Sequence, residues 1–219
     1  MSALPPDAAT LLSQNKDWAS KFQEDHPGFL PESADGQRPR TLWLGCSDSR
    51  VPESVITAAF PGDIFVHRNI GNQASPNDDS FQSVLEFTMS DPNSPVAASF
   101  RVEHIVIVGH IGCGAVEAGL DLAQWDTDLP DKSEFPLIRW ILPIIKLAKE
   151  VGTSISLDDL IKENIRRQVD IVAKSTLVQR NWEITKEEQE TPVTIHGWLY
   201  HLGTGLLEPI CEVARPDEK

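Results

Sequence analysis

The sequence predicts an α/β fold: a mostly parallel β-sheet flanked by helices, with an antiparallel edge strand at the C-terminus and a helical arm at the N-terminus. Short β-branched runs alternate with longer stretches of helical periodicity, the mark of β-α units with right-handed crossovers. The run His104-Ile105-Val106-Ile107-Val108-Gly109 lacks polar alternation, as a central strand covered on both faces should. Only His201 to Thr204 separate the last two strands, which suits a hairpin and is too short for a parallel crossover.

Apolar residues at helical spacing from Ala8 to Phe22 predict an amphipathic helix that stops at His26-Pro27-Gly28. Phe29 to Arg40 is rich in Pro, Gly and charge and reads as a connection, and Thr41-Leu42-Trp43-Leu44-Gly45 as a short buried strand. Pro52 suits a helix start, Ile64 to Arg68 alternates as a second strand, and Phe81, Val84, Leu85, Thr88 and Met89 share one face of a helix. Asp91 to Ser99 reads as a surface connection. After the central strand, Gly112-Cys113-Gly114 opens a helix from Ala115 to about Leu122. Helices are expected over Phe135 to Val151, bent at Pro143, and over about Leu157 to Trp182, capped by Ser156. Val193 to Tyr200 and Gly205 to Val213 are the closing strands. Residues 1–36 are expected to form the arm and residues 37–219 a single catalytic domain.

A chain of 219 residues buries roughly 70% of its unfolded surface on folding and needs neither disulfide nor metal merely to fold. Nineteen basic against 33 acidic residues give a net charge of −14, which repels nucleic acid and anionic membrane surfaces. No apolar run approaches the roughly 20 residues of a membrane span. The first 37 residues contain no Arg and have neither a secretory core nor a basic, acid-poor transit character, so the expected compartment is the cytoplasm. Three cysteines, Cys46, Cys113 and Cys211, argue against a secreted disulfide scaffold.

Cys46 and His110 each directly follow an apolar strand, at the carboxyl end of the sheet, where open α/β folds place ligand sites. Cys113 comes three residues after His110. Two thiolates and one imidazole suit zinc and leave a fourth position open, the pattern of a catalytic site. Buried core thiols or a redox pair are the plainer alternative. Against it, Gly45, Gly109, Gly112 and Gly114 permit tight turns around all three residues, and a histidine between two thiols serves no disulfide. Asp48 and Arg50, close behind Cys46, pair either as a loop brace or as a functional dyad. In the functional case Asp48 accepts a hydrogen bond from the attacking oxygen, or ligates the metal and switches the enzyme off. Cys211 reads as a small core residue, and Glu187, Glu188 and Glu190 as a solvated face.

Cys46-Ser47-Asp48-Ser49-Arg50-Val51-Pro52, Val66-His67-Arg68-Asn69-Ile70-Gly71-Asn72 and Gly109-His110-Ile111-Gly112-Cys113-Gly114-Ala115 together resemble the three signature blocks of the β-class carbonic anhydrases, in order and at similar spacing, from about Gln37 to about Tyr200. The resemblance implies one Zn2+ per chain on Cys46, His110 and Cys113, with Asp48 and Arg50 as the catalytic dyad. Gln37, Phe65 and Gly114 are implied at the substrate, carbon dioxide or bicarbonate. It also implies a homodimer or dimer of dimers in which a neighbouring chain completes each site and residues before about Asp35 pack on that neighbour. Trp43, Gly45, Arg68 and Tyr200 match a subgroup that binds regulatory bicarbonate at a second pocket; core packing for Trp43 and an ion pair for Arg68 are the simpler readings. Phe87 stands where many members carry tyrosine, and Gly71 where alanine is usual.

The implied activity is reversible hydration of carbon dioxide to bicarbonate and a proton. Two thiolates offset the charge of the dication, so activity is expected to favour alkaline pH. A related zinc hydrolase of carbonyl sulfide or carbon disulfide would keep every ligand, and a non-catalytic zinc or bicarbonate sensor would keep the fold. Retention of Asp48, Arg50 and Gln37 argues against the sensor.

Overall fold

The computed structural model describes residues 5–89, 95, 100–125, 133–188 and 190–216. The chain divides into two compact units between Gln37 and Arg38. The N-terminal unit carries α1 (Ala8–Asp25) and α2 (Phe29–Ala34). Asp7 caps α1 by accepting from the Thr10 N–H, and Trp18, Phe22 and Phe29 pack ring on ring, at centroid distances of 5.0 and 5.4 Å. Neither helix buries a residue. Helix α2 occupies a segment whose composition reads as a connection. Pro31 sits in its first turn, where no intrahelical N–H is needed, and Gly28 enters it at φ +87°.

The C-terminal unit runs β1 (Thr41–Cys46), α3 (Glu53–Ile56), β2 (Ile64–Asn69), α4 (Asp79–Met89), β3 (His104–His110), α5 (Gly114–Ala123), α6 (Pro136–Val151), α7 (Leu157–Ala173), α8 (Thr176–Glu187), β4 (Thr194–His201) and β5 (Leu206–Val213). The sheet order is β2-β1-β3-β4-β5; the first four strands are parallel and β5 is antiparallel to β4. Asp91 to Ser99 lies almost entirely outside the described residues. Pro143 lies inside α6 without ending it. The expected helix from Leu157 to Trp182 is two helices: the Ser175 hydroxyl accepts from the Val178 N–H and starts α8 anew. A serine cap inside a continuous apolar periodicity is easily read through, because the periodicity survives the break.

Alternation along the strands divides the core. Leu42, Leu44, Ile105, Ile107 and Ile195 face α4, α7 and α8, contributing Phe81, Leu85, Val169, Val172 and Trp182. Cys46, at the end of β1, joins a neighbouring cluster with α5, α6 and α7. Trp43, Val106, Val108 and Tyr200 point to the other face. Among the described residues of this unit, α3 is the helix whose residues join the cluster on this face, through Ile56. Among the described residues no helix is long and apolar enough to cross a membrane.

One surface expectation changes, and Cys211 packs against the core as read from the sequence. Glu188 and Glu190 are not merely solvated, since Arg101 lies 3.7 and 2.6 Å from their carboxylates. Cys211 is half-buried on the edge strand, with its sulfur filling the space above Gly197, where a Cβ would come within 2.7 Å of it.

Candidate metal centre

Three separate stretches of chain deliver the donors. β1 ends on Cys46 and β3 on His110, with Gly45 beside Val108 in parallel register, so both strands release their last residue at the same sheet edge. Gly112 then turns at φ +66°, a conformation that costs an L side chain strain, and Cys113 becomes the N-cap residue of α5. Cys46 Sγ, Cys113 Sγ and a ring nitrogen of His110 all lie within 4.8 Å of one another, and all three residues are buried. The two thiols are free.

His110 is completely inaccessible. Its Nδ1 lies 3.1 Å from the Ile111 carbonyl oxygen; with no donor there to meet, Nδ1 carries the proton and donates, and Nε2 keeps its lone pair. That Nε2 is buried without a hydrogen-bond partner. The sulfurs are coupled. The neighbouring Cys113 thiol holds the Cys46 pKa well below the ordinary thiol value against the opposing effect of burial. The same negative sulfur, with burial, pushes Cys113 up. A second thiolate beside the first needs a cation between them. An orphaned imidazole lone pair and two thiols that cannot both ionise unaided fit a soft divalent metal.

Asp48 stands next to this cluster. Arg50 donates from Nε to Asp48 Oδ1 at 2.9 Å and from Nη2 to Oδ2 at 2.7 Å, and its backbone N–H also meets Oδ1 at 2.9 Å. These Arg50 bonds hold the carboxyl far below the usual range despite partial burial. Asp48 Oδ2 is 3.7 Å from His110 Nε2. Asp48 is thus engaged by Arg50 while bordering the donors.

Arg68, paired in register with Gly45, donates from Nε to the Cys46 carbonyl at 2.8 Å and from Nη2 to the Asp48 carbonyl at 2.5 Å, with Glu53 at 3.8 Å. It braces the segment from Cys46 to Asp48. Trp43 and Tyr200 belong to one buried cluster. The Trp43 indole lies over Gly45 so closely that a Cβ there would clash with Nε1, and Nε1 has no hydrogen-bond partner. Gly114 opens α5 with free space where a Cβ would be. Phe65 is elsewhere: it pairs with Leu42, four residues before Cys46, and packs on Phe87 and Phe100 at 5.7 and 5.9 Å. Gln37 closes the N-terminal unit. Sequence reasoning missed Glu53 beside Arg68, and the buried amides of Asn164 and Gln168 that hold the Gly71 carbonyl and the Ala74 N–H. Nothing in their spacing marks either group.

The family model for carbonic anhydrase matches residues 41–207. A carbonic anhydrase of Emericella nidulans is 32% identical over 205 residues, covering 91% of this chain and 82% of that protein. Among solved structures, a tetrameric β-carbonic anhydrase of Sordaria macrospora superposes with a TM-score of 0.76 at 30% identity, covering 93% of this chain and 97% of the other. A Coccomyxa β-carbonic anhydrase in complex with acetazolamide superposes at 0.78 with 28% identity, over 95% and 89% of the two chains. Extent of match, sequence identity and backbone agreement point the same way, and the chain belongs to the carbonic anhydrase family, in its β class.

Proposed function

We propose that this chain interconverts carbon dioxide and bicarbonate with release of a proton, using one zinc ion held by Cys46, His110 and Cys113. The observation that carries this reading is the convergence of two free thiols and an unpartnered imidazole nitrogen beside a carboxylate already bound by arginine. Zinc held there would supply Lewis acidity, which makes a hydroxide nucleophile available, with the two thiolates shifting its formation toward alkaline pH. Arg50 keeps Asp48 ionised and turned toward itself. Asp48 Oδ2, at the rim of the donor set, accepts a hydrogen bond from the attacking O–H and so aims its lone pair at the carbon of carbon dioxide. The open side of Gly114 leaves room for that substrate. Direct hydration assays, run beside carbonyl sulfide and carbon disulfide with metal analysis of the same protein, test the assignment. One zinc per chain and turnover of carbon dioxide are expected; full activity with substoichiometric metal defeats it.

Gln37 and Phe65 act on a neighbour's site in this reading. Four strand residues span about 13 Å, too far for Phe65 to wall the donor set of its own chain. A sheet of parallel strands ordinarily carries helices on both faces. The face of Trp43 and Val106 is served in its own unit by the single-turn α3, which favours a second copy there, and the Sordaria macrospora relative is tetrameric. The smallest active species should be a homodimer, alone or within a dimer of dimers, and a fully active monomer in sedimentation with an activity overlay contradicts it. Residues 1–36, the helical arm, pack on that neighbour, and residues 37–219 form the catalytic domain. Free thiols at all three cysteines favour a reducing cytoplasm.

The buried donor of Trp43, with Gly45, Arg68 and Tyr200, supports a second, regulatory bicarbonate pocket. Bicarbonate should inhibit at the lower end of the active pH range, and Arg68→Ala should relieve that inhibition. Unchanged inhibition in a variant that retains its metal rejects the pocket.

A further inference from the structure

Two histidines and two carboxylates gather at the end of the sheet away from the cysteines, and the reaction proposed above uses none of them. His104 opens β3 and His110 closes it, so about 20 Å of strand separates the two positions. On the neighbouring strands Val106 pairs with His196 of β4, and His196 with Glu212 of β5. The alternation of side chains along a strand therefore puts His104, His196 and Glu212 on one face. His104 Nδ1 lies 3.2 Å from His196 Nε2, and His196 Nδ1 lies 3.1 Å from Glu212 Oε2. A carboxylate accepts, so His196 Nδ1 carries the proton and donates, and Nε2 turns its lone pair toward His104. Burial pushes the His196 imidazole below its ordinary value, against the pull of Glu212, which keeps the ring neutral and able to ligate near pH 7. Glu103, beside His104, is taken up by Arg40 Nε at 2.9 Å.

The plain alternative is a ring-to-ring hydrogen bond that ties β3 to β4. Such a bond is best when the two ring axes lie in line. Here the ring centroids are 5.2 Å apart and the planes 53° to each other, closer than a 3.2 Å contact would place rings set in line, so the axes bend away from the line joining the nitrogens. Two nitrogens bound at about 2.0–2.1 Å to one tetrahedral ion stand about 3.3–3.4 Å apart, with their ring axes bent in the same sense. A carboxylate on the far nitrogen, as Glu212 is on His196, is the usual companion of a metal-bound imidazole and fixes its tautomer and direction.

We propose that His104 and His196 form a second metal site, for a divalent transition ion such as nickel or zinc, with Glu212 positioning His196. Both ring nitrogens then ligate, the His104 proton moves from Nδ1 to Nε2, and water fills the remaining positions. The test uses the full, untagged, zinc-loaded chain with nickel(II) as the probe, in equilibrium dialysis at micromolar free nickel with both metals counted. One nickel per chain is expected beyond the zinc. His104→Ala and His196→Ala should lose it, Glu212→Ala should weaken it by about 10–100-fold, and His201→Ala should keep it. X-ray absorption of the wild-type nickel complex, which depends on no variant folding, should show two imidazoles and no sulfur. No nickel beyond the zinc, equal uptake in the His104→Ala/His196→Ala protein, or sulfur in the nickel shell overturns the proposal. A chain that takes nickel on the two rings and no zinc supports it and defeats the Cys46, His110 and Cys113 reading instead.

Discussion

Asp48→Asn is expected to lower carbon dioxide hydration by about 10²–10⁴-fold, the scale of a positioned proton-accepting group, while one zinc per chain stays bound. The amide keeps the shape of the carboxylate but loses the charge that Arg50 grips at 2.7 and 2.9 Å, and it can turn N–H donors toward the attacking oxygen. Arg50→Ala should lose activity on the same scale by another route. The freed carboxylate, already 3.7 Å from His110 Nε2, can swing into the donor set and close it. Stopped-flow hydration with metal analysis checks both variants, and near-normal rates with metal retained remove the dyad from the mechanism. The pH dependence has a definite sign. Arg50 depresses the Asp48 pKa in the folded state, so the stability this carboxylate contributes is complete above its unfolded value near 3.9 and is lost as pH falls through the folded value. Its protonation therefore imposes no acid limb on the activity profile at neutral or alkaline pH.

Cys113→Ala should abolish activity together with metal binding. It removes one of three donors and the neighbouring thiol that holds the Cys46 pKa down, leaving an imidazole and a lone thiol in place of a tetrahedral set with an open position. The fold should survive, because the sheet and the helices on it bury their core without the metal. Far-ultraviolet circular dichroism near wild type, with zinc below detection after dialysis, is the expected pair of results. Retained stoichiometric zinc in this variant sinks the proposed ligand set.

Most of the element order was legible from periodicity alone, because each strand is a short β-branched run and most helices keep their apolar residues on one face. The boundary between α7 and α8 was not. Ser175 interrupts the backbone while Val172, Val178 and Trp182 continue the same apolar stripe. Helix α2 was hidden for the opposite reason: Pro31 and Gly28 look like breakers, yet they sit at a helix start, where a proline and a left-handed glycine are tolerated.

At the site, Cys46, His110 and Cys113 announced themselves by type, by the glycines around them and by their place after strands. Local chemistry decided the Asp48 and Arg50 pair, since two residues of separation in a tight turn already bring both groups together. Position across the sheet decided the rest. Phe65 lies just before a recognisable block, but register places it beside Leu42 instead of Cys46, and Arg68 becomes a brace for the Cys46 and Asp48 carbonyls because β2 runs alongside β1. Trp140 and Asn164 reach the Ile70 to Gly71 backbone from 70 and 93 residues away. A donor's identity and its immediate turn are local properties of the chain, whereas hydrogen bonds to its neighbours depend on which distant helices the sheet stacks above it, and only folding brings those together.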